Sequence, residues 1–163
     1  MNLYVKNKMM SVKGSSFVLN DEAEKVFEVK GKFFSPTCRK LICDKEGNLL
    51  YTVRNQYFHL FTKKALIYDA QGNKYCKVKE RWIGRVTDVR DCPDNIVFQG
   101  NGLGKGVSMY KNGSLMGTWF IDISSASDLF RDSFRIEVVS EGDAALLTAL
   151  MIAVDNIRDS RRS

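Results

Sequence analysis

Eleven consecutive residues near the C-terminus, Ala144 to Val154 (AALLTALMIAV), contain a single polar side chain, Thr148. As an α-helix this run is about 17 Å long at 1.5 Å per residue. A bilayer core of about 30 Å needs about 20 residues, so the run is too short to span one. Asp155, Asn156, Arg158 and Asp159 close it. Its apolar residues occupy every side of the helix rather than one stripe, and such a helix has to be surrounded. An interfacial membrane helix would instead carry Lys or Arg along one face. The many alanines and the absence of aromatics suit a narrow enclosure. Asp143, after Gly142, is placed to cap the N-terminus, and Arg158, Arg161 and Arg162 lie where cations complement the helix dipole. A helix is expected over about 143–159.

The preceding residues supply the enclosure. Three segments align at offsets of 24 and 25 residues: FVLNDEAEKVFEVK (17–30), LICDKEGNLLYTVR (41–54) and LIYDAQGNKYCKVK (66–79). Each is an apolar triplet, an Asn or Asp, a short turn, and an alternating strand that ends in Val and a basic residue. In Asp44–Asn48 and Asp69–Asn73 the Asp can bond the backbone of the turn, and Gly47 and Gly72 supply the left-handed residue that returns the chain. Asn20-Asp21-Glu22-Ala23 lacks that glycine, which leaves the first hairpin the least defined. Asn112-Gly113 predicts a fourth hairpin with a tight type I′ turn. Alternation points Phe27, Val29, Tyr51, Val53, Cys76 and Val78 one way and Glu28, Lys30, Thr52, Arg54, Lys77 and Lys79 the other. One face is buried and one is wet, as in most antiparallel sheets. Further strands are expected at NIVFQ, GVSMYK, LMGTWFIDI and SFRIEVVS. No linker or low-complexity segment interrupts the chain, so residues 1–163 read as a single domain.

Composition narrows the chemistry. Cys38, Cys43, Cys76 and Cys92 form no CxxC pair and there is one histidine, so no metal site is expected. The N-terminus alternates polar and apolar residues without a secretory h-region, which predicts a cytoplasmic protein with reduced thiols and an idle sequon at Asn112. Residues 1–90 hold 18 Lys/Arg against 9 Asp/Glu, whereas 91–163 hold 7 against 10. The first half therefore carries the basic character, which favours a phosphate-rich partner. GNGLGKG (100–106) fits neither phosphate-loop pattern: Gln99, Lys105 and Gly106 stand where Gly, Gly and Ser or Thr are required. His59 lacks a hydrolytic partner pattern, and no catalytic signature is found.

The repeated D-x-x-G-N turns, the segment KVKGKFFS and the ending AVDNI resemble the LURP-one-related family, within the tubby C-terminal-like group that also contains phospholipid scramblases. Gly31-Lys32-Phe33-Phe34-Ser35, Asp44 to Asn48 and Ala153-Val154-Asp155-Asn156-Ile157 carry the resemblance, which runs from about residue 2 to residue 159. It implies a mainly β fold: a closed antiparallel barrel of about twelve strands around a central hydrophobic C-terminal helix. With no catalytic signature in the chain, neither enzyme activity nor a cofactor is expected. Scramblases carry a Pro-rich N-terminal region, a Cys-rich stretch and an acidic calcium segment; here there are two prolines, scattered cysteines, and only Glu141 and Asp143 before the helix.

The expected function is a binding or scaffold module that holds phosphoinositide or other anionic lipid headgroups at a membrane surface, without a transmembrane span. The candidate residues are Lys77, Lys79 and Arg81, alternating along one strand face, joined by Lys30 and Lys32. A second reading is scramblase-like lipid handling, which would need the terminal helix to leave the barrel. A third, nucleic-acid binding, would need Phe33, Phe34, Tyr57, Phe58 and Phe61 to stack bases; these are read as core aromatics instead.

Overall fold

In the computed structural model, residues 1–6, 15–31, 37–56, 63–80, 87–100, 106–121 and 133–159 are described. Among these residues, twelve strands precede one α-helix. They are β1 (Asn2–Lys6), β2 (Ser15–Leu19), β3 (Lys25–Gly31), β4 (Lys40–Cys43), β5 (Leu49–Asn55), β6 (Lys64–Tyr68), β7 (Lys74–Glu80), β8 (Thr87–Arg90), β9 (Ile96–Gly100), β10 (Gly106–Lys111), β11 (Ser114–Ile121) and β12 (Ser133–Val138). After one turn of 3-10 helix at Glu141–Asp143, helix α1 covers Ala144–Asp159. Each strand pairs antiparallel with its neighbour in sequence, and β1 pairs with β12 to close the barrel. Closure removes the free edges that an open sheet would have to protect. The thinnest seam joins β8 to β9 through the pair Asp88–Val97.

The repeated turns are built alike. Gly47 N–H donates to the Asp44 carbonyl at 3.2 Å and Gly72 N–H to that of Asp69 at 3.1 Å. Each Asp carboxylate also accepts the N–H of the Asn four residues on, at 2.8 Å. The first hairpin uses the same turn without glycine: Ala23 stands at φ 62° and donates to the Asn20 carbonyl at 3.1 Å. Asn112 (φ 51°) and Gly113 (φ 85°) form the expected type I′ turn between β10 and β11.

The inner faces of the strands and all sides of α1 make one core. Phe27, Val29, Val53, Cys76 and Val78 are buried as the alternation predicts, and Tyr51 is half-buried. Leu147, Thr148 and Ala149, successive residues about 100° apart around the helix, are each fully buried. Thr148 satisfies its hydroxyl by donating to the Ala144 carbonyl at 2.9 Å, the usual answer for a buried threonine in a helix. α1 packs against β5, β6 and β7 on one side and β11 and β12 on another. A Cβ on Gly117 of β11 would come within 2.4 Å of the Glu137 carbonyl oxygen and 3.0 Å of Leu147 Cδ1, so glycine lets wall and helix approach there. No described helix is long and apolar enough to cross a membrane.

Asp143 directly precedes the helix, as expected. Its carboxylate, however, accepts from Lys111 Nζ of β10 at 3.1 Å, tying the start of α1 to the barrel wall. Asp94 accepts from the Tyr75 hydroxyl at 2.6 Å and from Asn112 Nδ2 at 2.9 Å, and lies 3.9 Å from Lys111. The Tyr75 ring meets Tyr51 edge-on at 5.9 Å. This polar cluster lies beside the N-terminal end of the helix.

Candidate functional site

The outward positions of β5 to β8 form a basic face. Hairpin register places Arg54 beside Leu66, Leu66 beside Lys77, and Lys77 beside Arg90, so one row crosses four strands. The next row sets Lys64 opposite Lys79 and Lys79 opposite Asp88. Asp88 on the second row and Asp91, just past β8, are carboxylates beside these cations.

Lys77 is largely committed. Its Nζ donates to Asp91 Oδ2 at 2.7 Å, and Lys74 shares that oxygen at 3.2 Å. These hydrogen bonds, Lys77 first, hold the Asp91 carboxyl below its ordinary range. Arg90 lies 3.4 Å from Asp88. Arg54 has no carboxylate partner among the described residues; it stacks over the Tyr68 ring at 4.8 Å and donates through Nε to its hydroxyl at 3.2 Å. Lys64 and Lys79 face each other directly, and neither forms an ion pair with a described residue. Like charges directly opposite across an antiparallel pair destabilise the sheet. An anion placed between the two ammonium groups would reverse the sign of that cost.

The expected ladder is therefore only partly assembled. Lys77 and Lys79 share the outer face of β7 as predicted. Lys30 is exposed on β3, 3.9 Å from Glu28. Four strand steps separate β3 from β7, about 19 Å along the sheet at about 4.8 Å per step. The structure does not bring Lys30 to Lys77 and Lys79. Lys32 and Arg81 lie outside the described residues, as do His59, Phe33, Phe34, Tyr57, Phe58, Phe61 and residues 101–105.

Reading along β7 alone missed Lys64 and Arg54. Hairpin arithmetic could have found Lys64: the Asp69–Asn73 turn, with its bulge at Ile67–Tyr68, sets Ile67 against Cys76 and so Lys64 against Lys79.

The polar cluster beside the helix start is a structural fastening. Desolvation, then the Asp94 hydrogen bond, pushes the Tyr75 hydroxyl far above its ordinary range. The hydrogen bonds from Tyr75 and Asn112 hold Asp94 below its own, and that with Asp143 raises Lys111.

A closed barrel of twelve antiparallel strands around a C-terminal apolar helix defines a tubby C-terminal-like fold. The chain belongs to the LURP-one-related family, whose model matches residues 1–155. Its fold is similar to that of a protein from Arabidopsis thaliana solved by X-ray crystallography. The TM-score is 0.61 at 13% identity, over 96% of this chain and 90% of that one. Comparison with curated proteins finds no match.

Proposed function

We propose that the protein is a non-enzymatic, cytoplasmic binding module that docks peripherally on anionic lipid headgroups, phosphoinositides among them, through the outer face of β5 to β8. The observation that carries this reading is the opposed pair Lys64–Lys79, flanked by Arg54 and Lys77. Two ammonium groups in register, with no carboxylate between them among the described residues, favour a phosphate over a neutral surface.

The scramblase-like reading requires α1 to leave the barrel. Seven large apolar side chains of the helix (Leu146, Leu147, Leu150, Met151, Ile152, Val154 and Ile157) are buried. Their burial contributes on the order of 10–20 kcal/mol as an upper bound. That matches the entire stability of an ordinary domain, about 5–15 kcal/mol. Extracting the helix would unfold the barrel, so attachment through the outer face is the better supported reading.

Flotation with vesicles of neutral lipid, with and without phosphoinositide, tests it. The wild type floats with the anionic vesicles. Lys64→Gln/Lys79→Gln stays folded and partitions roughly thirtyfold less, since each basic group near the surface contributes about 1 kcal/mol. Equal flotation of both proteins, or none of the wild type, contradicts the proposal.

A further inference from the structure

On the opposite face of β7 from Lys77 lies Cys76, fully buried in the core. Cys92 follows β8, is half-buried, and packs against the same core cluster. Register explains the meeting. Lys77 pairs with Arg90, so position 76 comes opposite position 91, where Asp91 stands at φ 53° and Cys92 is the next residue. Cys92 thus packs against the core cluster that contains Cys76.

We propose that Cys76 and Cys92 are an oxidative modification site, in which the Cys92 thiolate first attacks a small disulfide such as glutathione disulfide and Cys76 resolves the adduct. The Cys92 thiolate displaces one glutathione thiolate and forms a mixed disulfide. The Cys76 sulfur then displaces the second glutathione, and its proton passes to the leaving thiolate. Two protein thiols are oxidised and one glutathione disulfide is reduced to two thiols. Cys76 has no exposure, so only a sulfur already inside the wall can reach it. The bond ties β7 to the connection between β8 and β9, beside the barrel's thinnest seam, and fixes Asp91 next to Lys77.

Burial pushes both thiols above their ordinary range. The reaction is therefore slow at neutral pH, and its rate climbs by up to roughly a hundredfold between about pH 7 and about pH 9, where an ordinary thiol would level off. The test treats the full chain with glutathione disulfide at both pH values, followed by intact mass and peptide mapping. Expected are a mass two hydrogens below that of the Cys38 adduct alone, a linked peptide pair containing Cys76 and Cys92, and its absence from Cys92→Ser. In Cys76→Ala the glutathione adduct accumulates on Cys92. Exposed Cys38 takes an adduct in every variant and so reports that the oxidant is active. A stable glutathione adduct on wild-type Cys92, or reaction at Cys38 with none at Cys92, overturns the proposal.

Discussion

Asn156, near the end of α1, donates through Nδ2 to the Cys38 carbonyl at 3.0 Å, across 118 positions of sequence. Its own carbonyl accepts from Asn55 Nδ2 at 3.3 Å, and the side chain is 2% exposed. The helix is thus fastened at both ends, by Asn156 at one and by the Asp143–Lys111 pair at the other.

Asn156→Ala leaves the Cys38 carbonyl without that donor in a partly buried setting. The expected loss is about 1–3 kcal/mol, the cost of an unsatisfied buried group. Equilibrium urea denaturation reads it as a lower midpoint with an unchanged slope.

Gly117→Ala drives a methyl into the Glu137 carbonyl and Leu147. The first neighbour is backbone of the adjacent strand and cannot swing away, so overpacking costs about 1–3 kcal/mol. Thermal unfolding should show a clear drop in midpoint, and Gly100→Ala, whose added Cβ meets nothing within 4 Å, should show almost none.

Ala23→Gly runs in the opposite direction. Ala23 holds a left-handed conformation (φ 62°) that Gly47 and Gly72 occupy in the sister turns. A Cβ there costs roughly 1–2 kcal/mol, partly offset by the extra entropy glycine loses on folding. A net gain of about 0.5–1 kcal/mol is expected, read as a raised urea midpoint.

The cluster at Asp94 predicts a pH dependence. Its folded pKa is lowered from 3.8, chiefly by the Tyr75 hydrogen bond. That contribution is present above the unfolded value and is lost as pH falls through the lowered folded one. Asp94→Asn should therefore narrow the difference between urea midpoints at neutral pH and below pH 3.8. Lys111 behaves inversely: its raised folded pKa keeps its contribution present below 10.5 and loses it as pH rises beyond.

Much of the fold was legible because its signals are local. Gly47, Gly72 and Asn112-Gly113 announce turns, alternation assigns faces, and the all-round apolarity of 144–154 calls for enclosure. Ala23 left the first hairpin the least defined because the residue that usually marks a left-handed turn is absent although the turn remains. The site was harder to read because its geometry is set across strands. Lys77 and Lys79 look equivalent along β7, yet Asp91, fourteen positions after Lys77, engages Lys77, whereas Lys79 meets Lys64. Lys30 belongs to the same alternating pattern but sits four strands away. The capping role expected of Asp143 gave way to Lys111 because the barrel wall brings a cation within 3.1 Å.

Amide hydrogen exchange on the chain, free and bound to phosphoinositide vesicles, tests most directly whether the apolar helix is core and the outer wall is the docking surface. The expected result is that amides of residues 146–154 exchange only through global unfolding, with the same protection in both states, while added protection is confined to β5 to β8. Rapid exchange in the helix, or a change in its protection on binding vesicles, would contradict the enclosed helix and return the terminal segment to the membrane.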